Sequence, residues 1–383
     1  MVPNGWSEKR LGSVLERVAV PVRPEPDSRY REIGIRSHGK GIFYKEAVLG
    51  KTLGNKRVFK VLPDCFVVNI VFAWEQAVAK TTEKEVGFIA SHRFPMYKPI
   101  EGKCNVDFIN YFFRTKRGKY LLELASPGGA GRNKTLGQKE FVNLRFPMPE
   151  GAEQTKIAQI LSTWDKAIET TEKLIENSKA QKKALMQQLL TGKKRLPGFD
   201  GEWKFAIFGE LFRIANDKSK QIKKTEYKEF GTFPIVDQGK ELVVAYTDST
   251  QLYTDIPVIV FGDHTRAIKW VDFPFVPGSD GTQLIKTTHN LNLRFGAFLL
   301  SHAKLPNLGY SRHMRELKEK EFKYPCRIDE QQRITSIIAA ADKEIGILQQ
   351  KLDYLKQEKK ALMQQLLTGK RRGKLKSVER MHA

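Results

Sequence analysis

The segment Lys182–Lys193 reads KKALMQQLLTGK, and so does Lys359–Lys370, identical at all twelve positions. The same offset of 177 residues runs upstream without a gap. It pairs Glu153-Gln154 with Glu330-Gln331, Ile157 with Ile334, Asp165-Lys166 with Asp342-Lys343, and Ile168 with Ile345. Solenoid repeats have periods of about 20–50 residues, so this spacing means something larger. The chain is two copies of a unit, each a globular stretch followed by the shared segment.

Within the shared segment apolar residues recur at alternating steps of four and three. The first copy gives Ile157, Leu161, Trp164, Ile168, Leu185 and Leu189. The second gives Ile334, Ile338, Ile345, Leu348, Leu352, Leu355, Leu362 and Leu366. A seam held over about five heptads predicts two helices that can supercoil, each a rod of roughly 55–60 Å. Thr171 and Ser178 make the first seam the more polar. Lys182 and Lys359 interrupt both seams at equivalent places, where a packed stem with its ammonium in water is one reading and setting the register the other. Asp329 followed by Gln332 fits a capping box at the second start, and Gly192 and Gly369 supply the stops.

The pattern divides the chain into a first globular head (1–150), a helix (151–196), a second head (197–328), a second helix (329–373) and a basic tail (374–383). Short apolar runs broken by Gly, Pro and Asp, such as FVVNIVF (66–72) and VIVF (258–261), read as strands of mixed α+β heads. Each head opens alike, Trp6 to Leu11-Gly12 and Trp203 to Phe208-Gly209, and then the two sequences diverge. Near-identical rods carrying unlike heads describe a bivalent recogniser.

Composition narrows the partner. There are 66 Lys and Arg against 43 Asp and Glu, a net charge of +23. Such an excess points to a polyanion, because cations set against phosphates release condensed counterions; a merely basic surface is the alternative. The excess is uneven: +11 over residues 1–152, +4 over 153–196, +2 over 197–329 and +6 over 330–383. The second head must therefore bind nucleic acid, if it does, with a local basic face. No apolar run reaches the roughly 20 residues of a membrane span. The first residues lack a signal-peptide pattern. Cys65, Cys104 and Cys326 are too scattered for a disulfide framework or a cysteine-rich zinc site. These features point to the cytoplasm and to no membrane partner.

Candidate contacts cluster in loops. The glycine-rich phrase at 126–135 places Arg132, Asn133 and Lys134 where backbone N–H groups and cations can meet phosphates, though it matches no nucleotide-binding fingerprint. The phrase FGDHTR (261–266) offers His264, Thr265 and Arg266 on a tight turn. No nucleophile elbow accompanies its Asp-His step, so contacts to phosphates and base edges suit it better than catalysis. Arg312 and His313 form a further basic group, and Arg93 a similar one in the first head. A plain solvated turn is the alternative for each. The histidines lack metal-site spacing. The sequence holds no Pro-Pro, so the Asp/Asn-Pro-Pro-aromatic tetrad of amino-group methylation is missing.

These features together resemble the specificity subunit of a type I restriction–modification enzyme. The likeness rests on the duplicated Glu-Gln-x-x-Ile…Leu-Leu-Thr-Gly-Lys helix after Phe146-Pro147-Met148-Pro149, on the paired Trp openings, and on the phrases GGAGRNKTL (128–136) and FGDHTR. It covers nearly the whole chain. The resemblance implies two target-recognition domains separated by two conserved helices packed antiparallel. It implies a non-catalytic, host-defence chain in which each head reads one half of a split, asymmetric site in double-stranded DNA. The partners it implies are two methyltransferase subunits and restriction–translocase subunits. S-adenosylmethionine, ATP and magnesium would belong to those partners, with no cofactor or metal on this chain. A self-sufficient nuclease or methyltransferase would need an active site the sequence does not display. A scaffold without DNA function would leave the basic heads unexplained.

Overall fold

The computed structural model describes residues 2–128, 134–306 and 311–373. The chain forms two compact units. One comprises residues 1–171 with 351–383 and the other residues 172–350, so the division cuts through both long helices rather than falling between head and helix.

In the first unit, β1 (Ser7–Arg10) pairs antiparallel with β6 (Arg145–Met148). The main sheet holds β2 (Leu15–Val18), β3 (Phe66–Val68), β4 (Val78–Lys80) and β5 (Met96–Pro99), in the order β4-β3-β5-β2. Helix α1 (Val106–Phe113) packs against it, and the long helix α2 runs over Gly151–Leu189. In the second unit, β7 (Lys204–Ile207) pairs with β12 (Glu321–Tyr324). Its main sheet holds β8 (Phe212–Ile214), β9 (Val258–Gly262), β10 (Ile268–Val271) and β11 (Thr282–Thr287), in the order β10-β9-β11-β8. Helix α3 (Leu293–His302) and the long helix α4 (Ile328–Leu366) complete it. Strand for strand, the two sheets have the same connectivity and the same antiparallel pairing.

Each core joins a head to parts of both long helices. In the first, Trp6, Phe112, Phe113 and Phe146 lie with Ile157, Leu161 and Leu366; in the second, Phe212, Phe261 and Phe295 lie with Leu189, Ile334 and Ile338. The remaining seam residues, Trp164, Ile168, Leu185, Ile345, Leu348, Leu355 and Leu362, are half-buried, and Leu352 is buried.

The repeated polar residues have matching tasks in the two units. Glu153 takes a bidentate bond from Arg372 at 2.8 and 2.6 Å, and Glu330 takes one from Arg195 at 2.8 and 2.9 Å. Gln154 accepts the Asn105 N–H at the start of α1 and donates to the Pro149 carbonyl. Gln331 does the same with Asn292, at the start of α3, and Pro325. Glu-Gln thus fastens each helix start to its neighbours. The interrupting lysines also match: Lys182 pairs with Asp342 at 2.5 Å over the Phe298 ring, and Lys359 pairs with Asp165 over the Tyr111 ring. Their ammonium groups therefore bond to the facing helix, and the pairings run antiparallel in each unit.

The second helix starts differently from the expected capping box. It begins at Ile328, and Asp329 accepts from Arg327 at 2.6 Å and from the Glu330 N–H at 2.9 Å. Gly192 and Gly369, both at φ +69°, follow the two helix ends as left-handed residues.

Candidate nucleic-acid interface

The second head gathers its candidate residues at the β9–β10 turn. Strand β9 is buried throughout, so its turn projects from a rigid base. Gly262 ends the strand, and a Cβ there would stand 2.2 Å from both the Gln238 carbonyl and Thr265 Oγ1. Only glycine fits so close an approach. Asp263 follows, buried, its N–H donating to Gly281 O at 2.7 Å and its carboxylate accepting the Met314 N–H at 2.7 Å. That carboxylate thus fixes backbone, not an imidazole.

The histidines separate. The His264 N–H donates to Gln238 Oε1 at 3.2 Å, and its ring is half-buried at the turn. His313 is wholly buried, with its N–H and Nδ1 both on the Asp263 carbonyl, at 3.0 and 2.9 Å. It cannot present its ring to a ligand; it holds the turn in place. Thr265 is exposed and donates to the Gln238 carbonyl. Arg266, at φ +60°, sends Nη1 to the carbonyls of Leu305 and Pro306 at 3.2 and 3.3 Å. Arg312 is exposed, 3.8 Å from Asp280. Four loops therefore meet: 237–239, 263–267, 278–281 and 312–314.

Sequence reasoning missed Gln238, Asp280 and the pair beneath them. Lys269 is buried and donates to the Asp237 carbonyl at 2.7 Å, and burial draws its pKa below the usual lysine value. Burial pushes up the Tyr227 hydroxyl, and Asp237 adds to it. No local motif marks these groups, because the loops begin at residues 237, 263, 278 and 312 and meet only in the fold.

In the first head the equivalent β3–β4 turn, Asn69–Ala77, collects Arg93 and Lys134. The Ile70 N–H bonds the Arg93 carbonyl at 3.0 Å, and its carbonyl accepts the Leu136 N–H at 2.8 Å. Lys134 Nζ stands 5.7 Å from the Trp74 ring centroid, a cation–π distance. Arg93 is exposed, as is Phe72 at the turn. Gln76, at φ +59°, donates to the carbonyls of Phe113 and Thr115, tying the turn to α1. Trp74 and Phe72 are additions that sequence reading passed over as strand. Arg132 and Asn133 lie outside the described residues. No group of His, Cys, Asp and Glu among the described residues could hold a metal ion. No helix among them is long and apolar enough to cross a membrane.

Comparison with known proteins identifies the family. The sequence matches the family described as type I restriction modification DNA specificity domain twice, over residues 51–178 and 200–357. The MjaVIII type I restriction enzyme specificity subunit of Methanocaldococcus jannaschii is 25% identical, over 97% of this chain and 94% of that protein. The EcoR124I/EcoR124II specificity subunit of Escherichia coli is 31% identical over 103 residues, 26% of this chain and 25% of that one. Among solved structures, the type I restriction–modification S subunit from M. genitalium has the same fold. Its TM-score is 0.63 at 15% identity, covering 96% of this chain and 99% of that one. With a family match in each unit, and a shared sheet topology beneath unlike sequences, the chain belongs to the specificity subunits of type I restriction–modification systems, their non-catalytic DNA-recognition component.

Proposed function

We propose that each head reads one half of a split, asymmetric site in double-stranded DNA, and that the two long helices carry two methyltransferase subunits. Those partners supply adenine-N6 methylation with S-adenosylmethionine. Restriction–translocase subunits supply ATP- and magnesium-dependent cleavage when they join. The observation that carries this reading is the pairing of one sheet topology with two unlike turns, 69–77 and 263–267, on a duplicated helical framework. A common scaffold with different turn chemistry suits recognition of two different base sequences. Phosphate contacts would position each head, and Arg93, Lys134, His264, Thr265 and Arg312 are side chains placed near the turns for that work or for base edges.

The test is adenine-methylation sequencing of a host genome with and without this gene, the methyltransferase partner being co-expressed. One split, asymmetric methylated motif is expected to vanish on deletion. An unchanged pattern would overturn the reading.

A further inference from the structure

The second unit carries a groove of about 1000 Å³ that the reading above does not use. Its walls are the end of α2, the end of α3 with the residues after it, and the start of β12. Lys179, Lys183 and Lys193 line it from the helix side, and Lys304, Lys320 and Lys323 from the head. Glu321 is the one carboxylate among the described residues of its lining. Among the described residues, no carboxylate pairs with Lys179, Lys183, Lys193, Lys304 or Lys320. The field is felt inside: burial and the Lys304 cation together hold the His302 imidazole below its usual pKa. So many like charges in one concavity repel each other unless an anion enters.

Two further facts identify the anion. Ser301, Ala303 and Lys304 also line a smaller groove that reaches Thr265 and Arg266, so the basic surface continues to the β9–β10 turn. The helix-side lysines recur in the first unit as Lys356, Lys360 and Lys370, although the heads differ. A component met by both units must itself be the same at both half-sites. Base sequence is not; the sugar–phosphate backbone is, and so is a methyltransferase subunit, which the test below separates from it.

We infer that this lysine groove is a phosphate track, holding the DNA backbone that leads away from the bases read at the 263–267 turn. The inference rests on the DNA-reading role proposed above. Lysine suits the task, because it binds phosphate as a point charge without dictating sequence.

The experiment uses the full chain assembled with its methyltransferase partner, on duplexes with and without the methylated motif. The variant is Lys183→Gln, Lys193→Gln, Lys304→Gln and Lys323→Gln together, all exposed positions where folding is undemanding. Affinity should fall by a similar factor on both duplexes. The slope of log affinity against log salt should become shallower by about 0.9 per lost phosphate contact. The methylated motif should stay the same, and the matching Lys→Arg variant should keep the wild-type slope. An unchanged affinity and slope would overturn the inference. So would loss of methyltransferase assembly with DNA binding intact, which would assign the groove to an acidic partner segment. If the wild-type assembly bound DNA without salt dependence, the DNA-reading role would fall first and the track with it.

Discussion

At the residue scale, the 263–267 turn shows how far chemistry can be read from a string of letters. The phrase FGDHTR marks a projecting turn with polar side chains, and the structure places one there. The division of labour within it was not legible. Arg266 spends a guanidinium nitrogen on the Leu305 and Pro306 carbonyls, and His313 is buried on the Asp263 carbonyl. A histidine beside an arginine in sequence looks like a surface pair, yet the chain turns between Arg312 and His313 and sends one out and one in. His313→Ala should therefore cost about 1–3 kcal/mol of stability, the usual range for stripping a buried polar partner. Urea unfolding of the second unit's signal checks it. An unchanged midpoint would show that the Asp263 turn does not depend on the imidazole.

At the element scale, the long helices were readable because they are written twice and their period is strict. The sheets were not. A strand needs only apolar residues on its buried face, so two heads can keep one topology while FVV (66–68) and VIVFG (258–262) share little else. The Glu-Gln step was legible as a repeat, but not as a fastening, because Arg372 and Arg195 lie 219 and 135 residues away from their carboxylates. Burial disfavours the ionised Glu153, but Arg372, the Gly373 N–H and Trp6 outweigh it and hold its carboxyl below the usual value of 4.5. A carboxylate with a lowered pKa in the folded state contributes stability above about pH 4.5, and that contribution is lost as pH falls through the folded-state value. Glu153→Gln should lower stability near neutral pH by about 1–2 kcal/mol, discounted because Arg372 is half exposed. It should also flatten the loss of stability on acidification. Denaturant midpoints across the acid range decide it; parallel wild-type and variant profiles would refute the role of the pair.

At the scale of the whole molecule, the proposed function makes helix length a ruler for the unread part of the DNA site. Adding one heptad to each long helix at matching positions lengthens each by about 10 Å, close to three base pairs. The methylated motif should keep both half-sites and gain about three base pairs of spacer. Methylation sequencing reads this directly, and an unaltered spacer would remove the ruler.

The two helix ends make one joint in two ways. Arg195 follows α2 and donates to the carbonyls of Asp200 and Gly201, with Trp203 packed on Gly192. Arg372 follows α4 and donates to the carbonyl of Asn4, with Pro3 and Trp6 packed on Gly369. The same joint is made once along a continuous backbone and once between residues from opposite ends of the sequence. A connecting peptide is therefore not what holds the joint: a cut between Arg195 and Asp200 should leave Arg195 and Gly192 able to make their contacts, as Arg372 and Gly369 make theirs without one.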